Sequence, residues 1–247
     1  MSAGSASRNS RAASFAGVAD AYERSRPGYP DEAVRWLVGA EPCDVVDLGA
    51  GTGKLTRSLV ALGHRVTAVE PLPQMLEHLR AAAPGVTAVE GGAEAIPLPD
   101  ASADVVTAAQ AFHWFDHGPA IREIARVLRP GGRIALIWNI RDESDEWVVE
   151  LSDAMVGRTG VDAGAGVPIA ESGLFHPVDE ATFGPHIQEV DRETLKELVL
   201  SRSYCAVLSE EERAPVFARV DELFDLHARD GVVRLPYLAE CFRATRR

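Results

Sequence analysis

The sequence predicts an α/β domain with a doubly wound, mostly parallel sheet of seven strands. Between residues 45 and 139, short runs rich in β-branched residues alternate with segments of helical periodicity, which is the pattern of successive βαβ units. These runs are almost continuously apolar, as expected for parallel strands that helices cover on both faces. At 247 residues and 46% hydrophobic content, the chain suffices for one large domain with a substantial core, whereas two independent domains would be cramped.

Five strands are predicted in the first 140 residues, each a short apolar run bounded by turn-forming or polar residues. They are Val45–Leu48, Arg65–Glu70, Val86–Glu90, Ala103–Ala109 and Arg133–Trp138. The helices between them are predicted from apolar residues at helical spacing, namely Leu55, Leu59 and Leu62, then Met75, Leu76 and Leu79, and then Ile121, Ile124, Ala125 and Leu128.

Glycine, proline and short polar residues predict where these helices begin and end. Gly63 ends the first of them, and Pro73 fits the first turn of the second. The run Pro130-Gly131-Gly132 ends the third and permits a tight turn into the fifth strand. Upstream, Asp31 is predicted to cap a further helix that buries Val34 and Leu37.

The second half of the chain gives weaker signals. Residues 143–157 and 191–202 are predicted to be helical, 158–180 to form a loop and 181–187 to form an edge strand. Ser209 and Glu212 form a capping box that begins a helix ending near His227. The last segment, Leu235 to Ala244, is predicted to be an antiparallel strand at the sheet edge. Residues 15–247 are thus predicted to form one domain.

Charge and cysteine content exclude several functional classes. With 37 Asp and Glu against 25 Lys and Arg, the net charge is −12, which repels phosphate backbones and anionic membranes, so we expect no nucleic acid or membrane partner. Cys43, Cys205 and Cys241 lie far apart, which indicates neither a disulfide framework nor a zinc site and favours a reducing, cytoplasmic setting. No apolar run reaches the roughly 18 residues that a membrane-spanning helix needs.

Residues 1–14 are rich in Ser and Ala and carry two arginines and no acid. This composition predicts a flexible tail. It also resembles that of an organelle transit peptide, and the two interpretations stay open.

The clearest motif is the run Gly49-Ala50-Gly51-Thr52-Gly53, which follows a strand and opens a helix. Glycines permit positive φ and let a ligand approach the backbone, and a helix N-terminus attracts an anionic group. The spacing does not fit a dinucleotide site, because Lys54 stands where the third glycine belongs. It does not fit a phosphate-binding loop either, because Leu55 stands where Ser or Thr is required.

Glu70 closes the second strand about 20 residues after the glycine turn. A carboxylate at that place can accept hydrogen bonds from both hydroxyl groups of a ribose. The alternative is a solvated acid at the end of a strand, and the combination with the glycine turn favours the nucleoside site.

Five segments, in this order, carry a family resemblance: VVDLGAGTG (45–53), AVEPLPQML (68–76), GGAEAIPLPD (91–100), DVVTAAQAFHWFD (104–116) and ARVLRPGGRIAL (125–136). Together they resemble the class I S-adenosylmethionine-dependent methyltransferases, near the small-molecule branch that includes trans-aconitate and quinone-biosynthesis methyltransferases. The resemblance covers about residues 15–140 and implies a Rossmann-like methyltransferase fold. It implies methyl transfer from S-adenosylmethionine to an O, N, S or C atom of a small molecule, with S-adenosylhomocysteine as product.

The resemblance also implies a set of cofactor-binding residues. The glycine turn would hold the methionine end, the acid at position 70 the ribose, and the segments after the second and third strands the adenine. An N-terminal arginine would pair with the cofactor carboxylate in the bidentate manner that guanidinium groups favour. The full set is Tyr22, Arg26, Asp47, Gly49, Ala50, Gly51, Gly53, Glu70, Pro71, Leu72, Met75, Ala93, Glu94, Gln110 and Ala111.

The acceptor would lie at the carboxyl ends of the fourth and fifth strands, beneath a helical cap formed by residues 143–230. The residues expected to contact it are Tyr29, His113, Trp114, Trp138, Asn139 and Tyr204. Methyl transfer is an in-line displacement, so positioning should supply most of the catalysis. His113 is the candidate general base, and a histidine that only shapes the pocket wall is the alternative.

Three alternatives to this interpretation exist. His113 and His117 form a poor metal pair, because Gly118 and Pro119 interrupt the helix that would align them, and we expect no metal. A nicotinamide-dependent oxidoreductase is disfavoured by Lys54 and by the lack of a second mononucleotide-binding half. A non-catalytic protein that binds S-adenosylmethionine stays open. The chain is expected to be a monomer or a homodimer.

Overall fold

The computed structural model describes residues 23–155, 166–201 and 208–247, and the strands in these ranges form one seven-stranded sheet. The strands are β1 (Asp44–Leu48), β2 (Arg65–Glu70), β3 (Thr87–Glu90), β4 (Ala103–Ala109), β5 (Leu128–Arg141), β6 (Asp179–Val190) and β7 (Val233–Thr245). Their order across the sheet is β3-β2-β1-β4-β5-β7-β6. The predicted doubly wound, mostly parallel sheet is confirmed.

The parallel part of the sheet has its topological switch point between β1 and β4. From β1 the chain winds outward to β2 and β3, and it then returns to pair β4 with the other side of β1. The register aligns Leu48 with Val69 and Glu70 with Glu90, so the carboxyl ends of β1, β2 and β3 lie at nearly the same level in the sheet. Ligands of such sheets bind in the crevice at this switch point, which is where the glycine turn lies.

The strand β7 runs antiparallel to β5. The amide of Asp142 donates to the carbonyl of Pro236 at 3.0 Å, and the amide of Arg246 donates to the carbonyl of Gly132 at 2.7 Å. The predicted antiparallel direction is correct, but the predicted position at the edge is wrong, because β7 lies between β5 and β6 and the edge strand is β6. An apolar run indicates burial, and it carries no information about which strands lie beside it.

The helices of the described residues connect these strands as predicted, with few exceptions. They are α1 (Asp31–Val38), α2 (Lys54–Ala61), α3 (Pro73–Ala82), α4 (His117–Val127), α5 (Glu146–Ala154), α6 (Val167–Glu171), α7 (Arg192–Leu200) and α8 (Glu210–His227). Pro73 occupies the first turn of α3, and Ser209 and Glu212 form the predicted capping box of α8. None of these helices has the length and apolar character that crossing a bilayer requires.

Three local expectations were wrong. Asp31 is the first residue of α1 and not its N-cap, which is Pro30. The loop predicted over 158–180 contains the helix α6, and its residues 158–165 lie outside the described ranges. The run 130–132, predicted to be a turn before the fifth strand, lies inside β5. It lies opposite a register shift in the pairing with β4. A Cβ on Gly132 would lie 2.8 Å from the carbonyl oxygen of Asp104.

The described residues form two compact units, each with its own core. One unit comprises residues 28–139, 166–184 and 239–247, and its core includes Val34, Leu37, Leu59 and Val105. The other comprises residues 23–27, 140–155, 185–201 and 208–238, and its core includes buried residues of α5, α7 and α8. Of the predicted site residues in the described ranges, all except Arg26 belong to the first unit.

Candidate active site

The glycine turn between β1 and α2 is built on three left-handed residues. Gly49, Gly51 and Gly53 have φ of +67°, +57° and +87°, a region in which side chains are strained. The amides of Gly49 and Ala50 donate to the carbonyl of Val69 at 2.8 and 3.2 Å, which ties the turn to β2. The helix α2 then begins without a side-chain cap, so the first turn presents its positive end at this turn.

The glycines of the turn serve different purposes. A Cβ on Gly49 would lie 2.8 Å from Cβ of Ala111, so this glycine lets the ends of β1 and β4 meet. A Cβ on Gly53 would lie 3.0 Å from Leu79 of α3. A Cβ on Gly51 would have no heavy atom within 4 Å, so the backbone there faces open space. Gly51 is therefore the point at which a ligand can approach the turn.

Glu70 lies at the end of β2 and is 5% exposed. Its two carboxylate oxygens accept hydrogen bonds from the amide of Gly51 at 2.8 Å and the amide of Leu72 at 3.0 Å. Burial raises the pKa of Glu70, and the nearby Asp47 raises it further. The hydrogen bonds from the two backbone amides lower it. Each oxygen retains a second lone pair, so Glu70 can still accept from a pair of hydroxyl groups.

Asp47 lies on β1 beneath the glycine turn, and it is 1% exposed. Thr56 donates to one of its oxygens at 2.6 Å and Thr107 donates to the other at 3.0 Å. Burial raises the pKa of Asp47 to about 6, although the hydrogen bonds from Thr56 and Thr107 act to lower it. The residue predicted to hold the methionine end of the cofactor thus joins β1, α2 and β4 beneath the turn.

We expect Asp47→Asn to stabilise the protein at neutral pH. A raised pKa means that the folded state binds this proton more tightly than the unfolded state, so the wild type loses stability as the pH rises from about 4 to about 6. An amide does not titrate. Urea unfolding should therefore show the variant more stable by about 2 kcal/mol at pH 8, and the difference should disappear near pH 4.

Asp44→Asn is the matched control on the same strand. Arg65 and Arg129 hold the pKa of Asp44 low, so its carboxylate stabilises the folded state above the ordinary pKa of an aspartate. This variant should lose stability at pH 8, which is the opposite sign. A loss of stability in both variants would show that the ionised form of Asp47 is the favoured one.

The loop after β3 is fastened to α4. Arg126 donates to the carbonyls of Ile96 and Leu98, each at 2.8 Å, and to Asp100 at 2.7 Å. Glu123 accepts from the amide of Ile96 at 2.8 Å and pairs with Arg126. The loop contains the predicted cofactor residues 93 and 94. This clamp was not predicted from the sequence, in which its only signal is the i,i+3 spacing of Glu123 and Arg126.

Within this loop, Ala93 is 3% exposed and Glu94 is exposed. The carboxylate of Glu94 accepts from the amide of Asp116 at 2.8 Å, which connects the loop after β3 with the segment after β4. The two loops predicted to border the cofactor are therefore held together by one hydrogen bond and by the α4 clamp.

Replacing Arg126 with alanine should weaken binding of S-adenosylhomocysteine about fivefold, because the loop would lose charge-assisted bonds that fix its position. Isothermal titration would measure this, and limited proteolysis should show faster cleavage within residues 91–100. Arg122→Ala, four residues earlier on an exposed part of the same helix, is the control. Faster cleavage with unchanged affinity would mean that the loop does not border the ligand.

The segment after β4 begins with a strained residue. Gln110 has φ of +54°, which is costly for a residue with a side chain. Its amide donates to the carbonyl of Ile137 and its side chain donates to the carbonyl of Asn139, each at 2.9 Å. The side chain of Asn139 in turn donates to the carbonyl of Gly28 at 2.8 Å. Strain that its surroundings hold in place is typical of functional sites.

Three of the aromatic groups expected at the acceptor, His113, Trp114 and Trp138, lie together. The indole nitrogen of Trp138, which is 5% exposed, lies 3.4 Å from Nδ1 of the exposed His113. The rings of His113 and Trp114 have their centroids 4.8 Å apart. His117 instead stacks on Phe112, with its Nε2 at 3.2 Å from the carbonyl of Phe112.

The prediction that Gly118 and Pro119 interrupt a helix after His113 and His117 was wrong, because both residues lie in the first turn of α4. His113 belongs to a 3-10 turn (Phe112–Trp114) that precedes this helix. Within the described ranges, no group of three or more metal-binding side chains is present.

The remaining predicted residues are placed as follows. Met75 is buried in the core, Leu72 is half-buried before α3, and Pro71 is exposed. Tyr29 is half-buried against the core of its unit. Arg26 belongs to the other unit, where it donates to the hydroxyl and carbonyl of Ser201 at 3.0 and 3.1 Å. Tyr22, Tyr204 and the predicted tail 1–14 lie outside the described residues.

A glycine turn at the switch point of a parallel sheet, with a buried acid at the end of the next strand, is typical of nucleoside-binding α/β proteins. Comparison with known proteins narrows this class. A family described as a methyltransferase domain matches residues 46–136. An uncharacterized methyltransferase of Mycobacterium tuberculosis is 45% identical over 245 residues, covering 97% of this chain and 98% of that protein. The chain therefore belongs to the class I S-adenosylmethionine-dependent methyltransferases, and it is an enzyme of that class.

Two further similarities agree with this assignment. A methyltransferase-like protein of Schizosaccharomyces pombe is 38% identical over 215 residues, which is 83% of each chain. The solved structure of a candidate type II methyltransferase from Anaeromyxobacter dehalogenans superposes with a TM-score of 0.64 at 28% identity, covering 90% of this chain and 97% of that one.

Proposed function

We propose that this enzyme transfers the methyl group of S-adenosylmethionine to a small-molecule acceptor at the carboxyl ends of β4 and β5. The observation that carries the proposal is the pairing of Glu70 with the glycine turn. A carboxylate that is 5% exposed and fixed by the amides of Gly51 and Leu72 keeps lone pairs for two more donors. A ribose has two such donors.

The residues of this unit fit the cofactor by their chemistry. Gly51 leaves open space beside the turn, and the start of α2 offers a positive helix end for a carboxylate. Ala50 and Gly53 belong to the same turn, while Leu72, Ala93 and Glu94 lie on the two loops assigned to the adenine. The cofactor supplies an electrophilic methyl group on a positively charged sulfur.

The protein's own contribution is positioning. The hydrogen bonds of Gln110 and Asn139 fix the segment after β4 against the end of β5, which holds His113 and Trp138 in a defined arrangement. A nucleophile bound beside them would be held in line with the methyl group and away from bulk water. We propose Tyr29 and Trp114 as further contacts of the acceptor. The acidic net charge of −12 argues against nucleic acid as that acceptor, and we expect a cytoplasmic enzyme.

Calorimetric titration tests the proposal. S-adenosylhomocysteine should bind at micromolar concentration and NAD should not bind, and the reverse result would refute the cofactor assignment. A panel of carboxylates, phenols, thiols and amines, analysed by mass shift, tests turnover. Binding of S-adenosylhomocysteine without methylation of any compound in the panel would refute an acceptor of these four classes.

A further inference from the structure

The ring of Phe115 reaches from the segment after β4 to the glycine turn. Phe115 follows the 3-10 turn Phe112–Trp114, and its amide donates to the carbonyl of Phe112 at 3.1 Å. Its side chain is half-buried, and Cζ and Cε1 of the ring lie 3.5 and 3.6 Å from the position that a Cβ on Gly49 would take. The tip of the ring therefore lies at the switch point between β1 and β4.

A buried neighbour holds this ring in place. Phe112, which is 1% exposed, packs against Phe115 in a T-shaped arrangement with the ring centroids 5.8 Å apart. Such pairs are favourable beyond the area that they bury, because the positive edge of one ring meets the negative face of the other. Phe115 is thus a positioned aromatic group beside the turn assigned to the cofactor.

The methyl donor and the product of the proposed reaction differ at one atom. The sulfur of S-adenosylmethionine carries a methyl group and a positive charge, whereas the sulfur of S-adenosylhomocysteine is a neutral thioether. In both molecules the sulfur joins the ribose to the amino-acid chain. A cofactor with its ribose at Glu70 and its amino-acid end at the glycine turn would therefore carry its sulfur between these two anchors.

The buried acids near these anchors are arranged for hydrogen-bond donors. Both oxygens of Asp47 accept from threonines, and both oxygens of Glu70 accept from backbone amides. A sulfonium has no N–H or O–H group to offer to their remaining lone pairs. The face of an aromatic ring carries partial negative charge and attracts a cation without a hydrogen bond, which makes Phe115 the better partner.

We propose that Phe115 recognises the positively charged sulfur by a cation–π contact and so raises the affinity for S-adenosylmethionine relative to that for S-adenosylhomocysteine. The inference rests on the proposed methyl transfer. In the transfer, a lone pair of the acceptor forms the bond to the methyl carbon, and the electron pair of the broken C–S bond stays on sulfur, which becomes neutral. The contact with Phe115 is then lost, which favours release of the product.

Isothermal titration of the full chain with both ligands tests this contact. In Phe115→Leu, the dissociation constant of S-adenosylmethionine should rise about three- to tenfold more than that of S-adenosylhomocysteine, because leucine is apolar but has no π face. Phe175→Leu is the matched control. Phe175 is 1% exposed and pairs with Arg246, whose amide donates to Gly132 near the amino end of β5. The control should lose stability and keep the wild-type ratio of the two constants.

Fluorinated phenylalanines in place of Phe115 separate the π face from the shape of the side chain. Successive fluorine atoms weaken the negative charge of the ring face and change its size little. Mono-, di- and trifluorophenylalanine should lower the affinity for S-adenosylmethionine stepwise and leave that for S-adenosylhomocysteine nearly constant. An unchanged ratio along this series, or equal losses for both ligands, overturns the proposal, even if Phe115→Leu does not fold. If the wild type binds neither ligand, the proposed function itself fails.

Discussion

Gly51→Val should abolish the binding of S-adenosylhomocysteine while the protein remains folded. Gly51 has φ of +57° and open space where a Cβ would stand, so the branched side chain would enter the space assigned to the cofactor. We expect the dissociation constant to rise more than about 100-fold, because the ligand and the side chain cannot share this space. Isothermal titration and circular dichroism would measure affinity and folding.

Gly63→Val separates this effect from backbone strain. Gly63 follows α2, has φ of +90°, and also has no heavy atom within 4 Å of the position that a Cβ would take. Both variants place a β-branched residue in the left-handed region, at a similar cost of about 1–2 kcal/mol. Gly63→Val should therefore lose stability but keep its affinity for S-adenosylhomocysteine. Equal affinity in the two variants would refute the assigned pocket.

Glu70→Ala should weaken binding of S-adenosylhomocysteine by more than about tenfold, because hydrogen bonds to a charged acceptor contribute about 1.5–3 kcal/mol each. The fold should survive, with a modest loss of stability, since the amides of Gly51 and Leu72 lose their acceptor. In the wild type, affinity should fall as the pH approaches the raised pKa of Glu70, because a protonated carboxyl accepts fewer hydrogen bonds.

Glu90→Ala is the matched control for this variant. Glu90 is the residue paired with Glu70 in the register of β2 and β3, it ends its strand at the same level, and it is exposed. It should not affect the affinity. If Glu70→Ala fails to fold, Glu70→Gln retains one carbonyl acceptor and should bind the ligand with intermediate affinity. Wild-type affinity in both Glu70 variants would assign Glu70 a structural role only.

The sequence predicted the strands and the glycine turn well because both are local features. The bounds of β2 and β4 were predicted to the residue, since their apolar runs begin and end at sharp changes of composition. The positive φ of Gly49, Gly51 and Gly53 follows from a turn that only glycine adopts easily. The candidate residues from Asp47 to Asn139 lie in one continuous stretch of βαβ units, so their order across the site follows from the order of the chain.

Contacts between distant residues could not be predicted in the same way. Arg126 binds backbone carbonyls of the loop after β3, and every residue presents a carbonyl, so no pattern of side chains reveals this partner. Trp138 lies 25 positions after His113, and their hydrogen bond depends on the register of β4 and β5. The position of β7 inside the sheet likewise depends on pairing that composition does not encode.

The place of β7 has a consequence for folding. The strand latest in the chain, Val233–Thr245, lies between two strands that precede it, so β5 and β6 become neighbours of a common strand only after it is inserted. Until then, the backbone groups that β5 and β6 later pair with β7 are exposed edges, and such edges promote self-association. Because closure requires contacts over about a hundred residues, the slow step of folding should be the docking of β7. Synthesis on the ribosome would prolong the exposure of the β5 and β6 edges. We therefore expect chaperones to act on the chain at this stage, before β7 is paired.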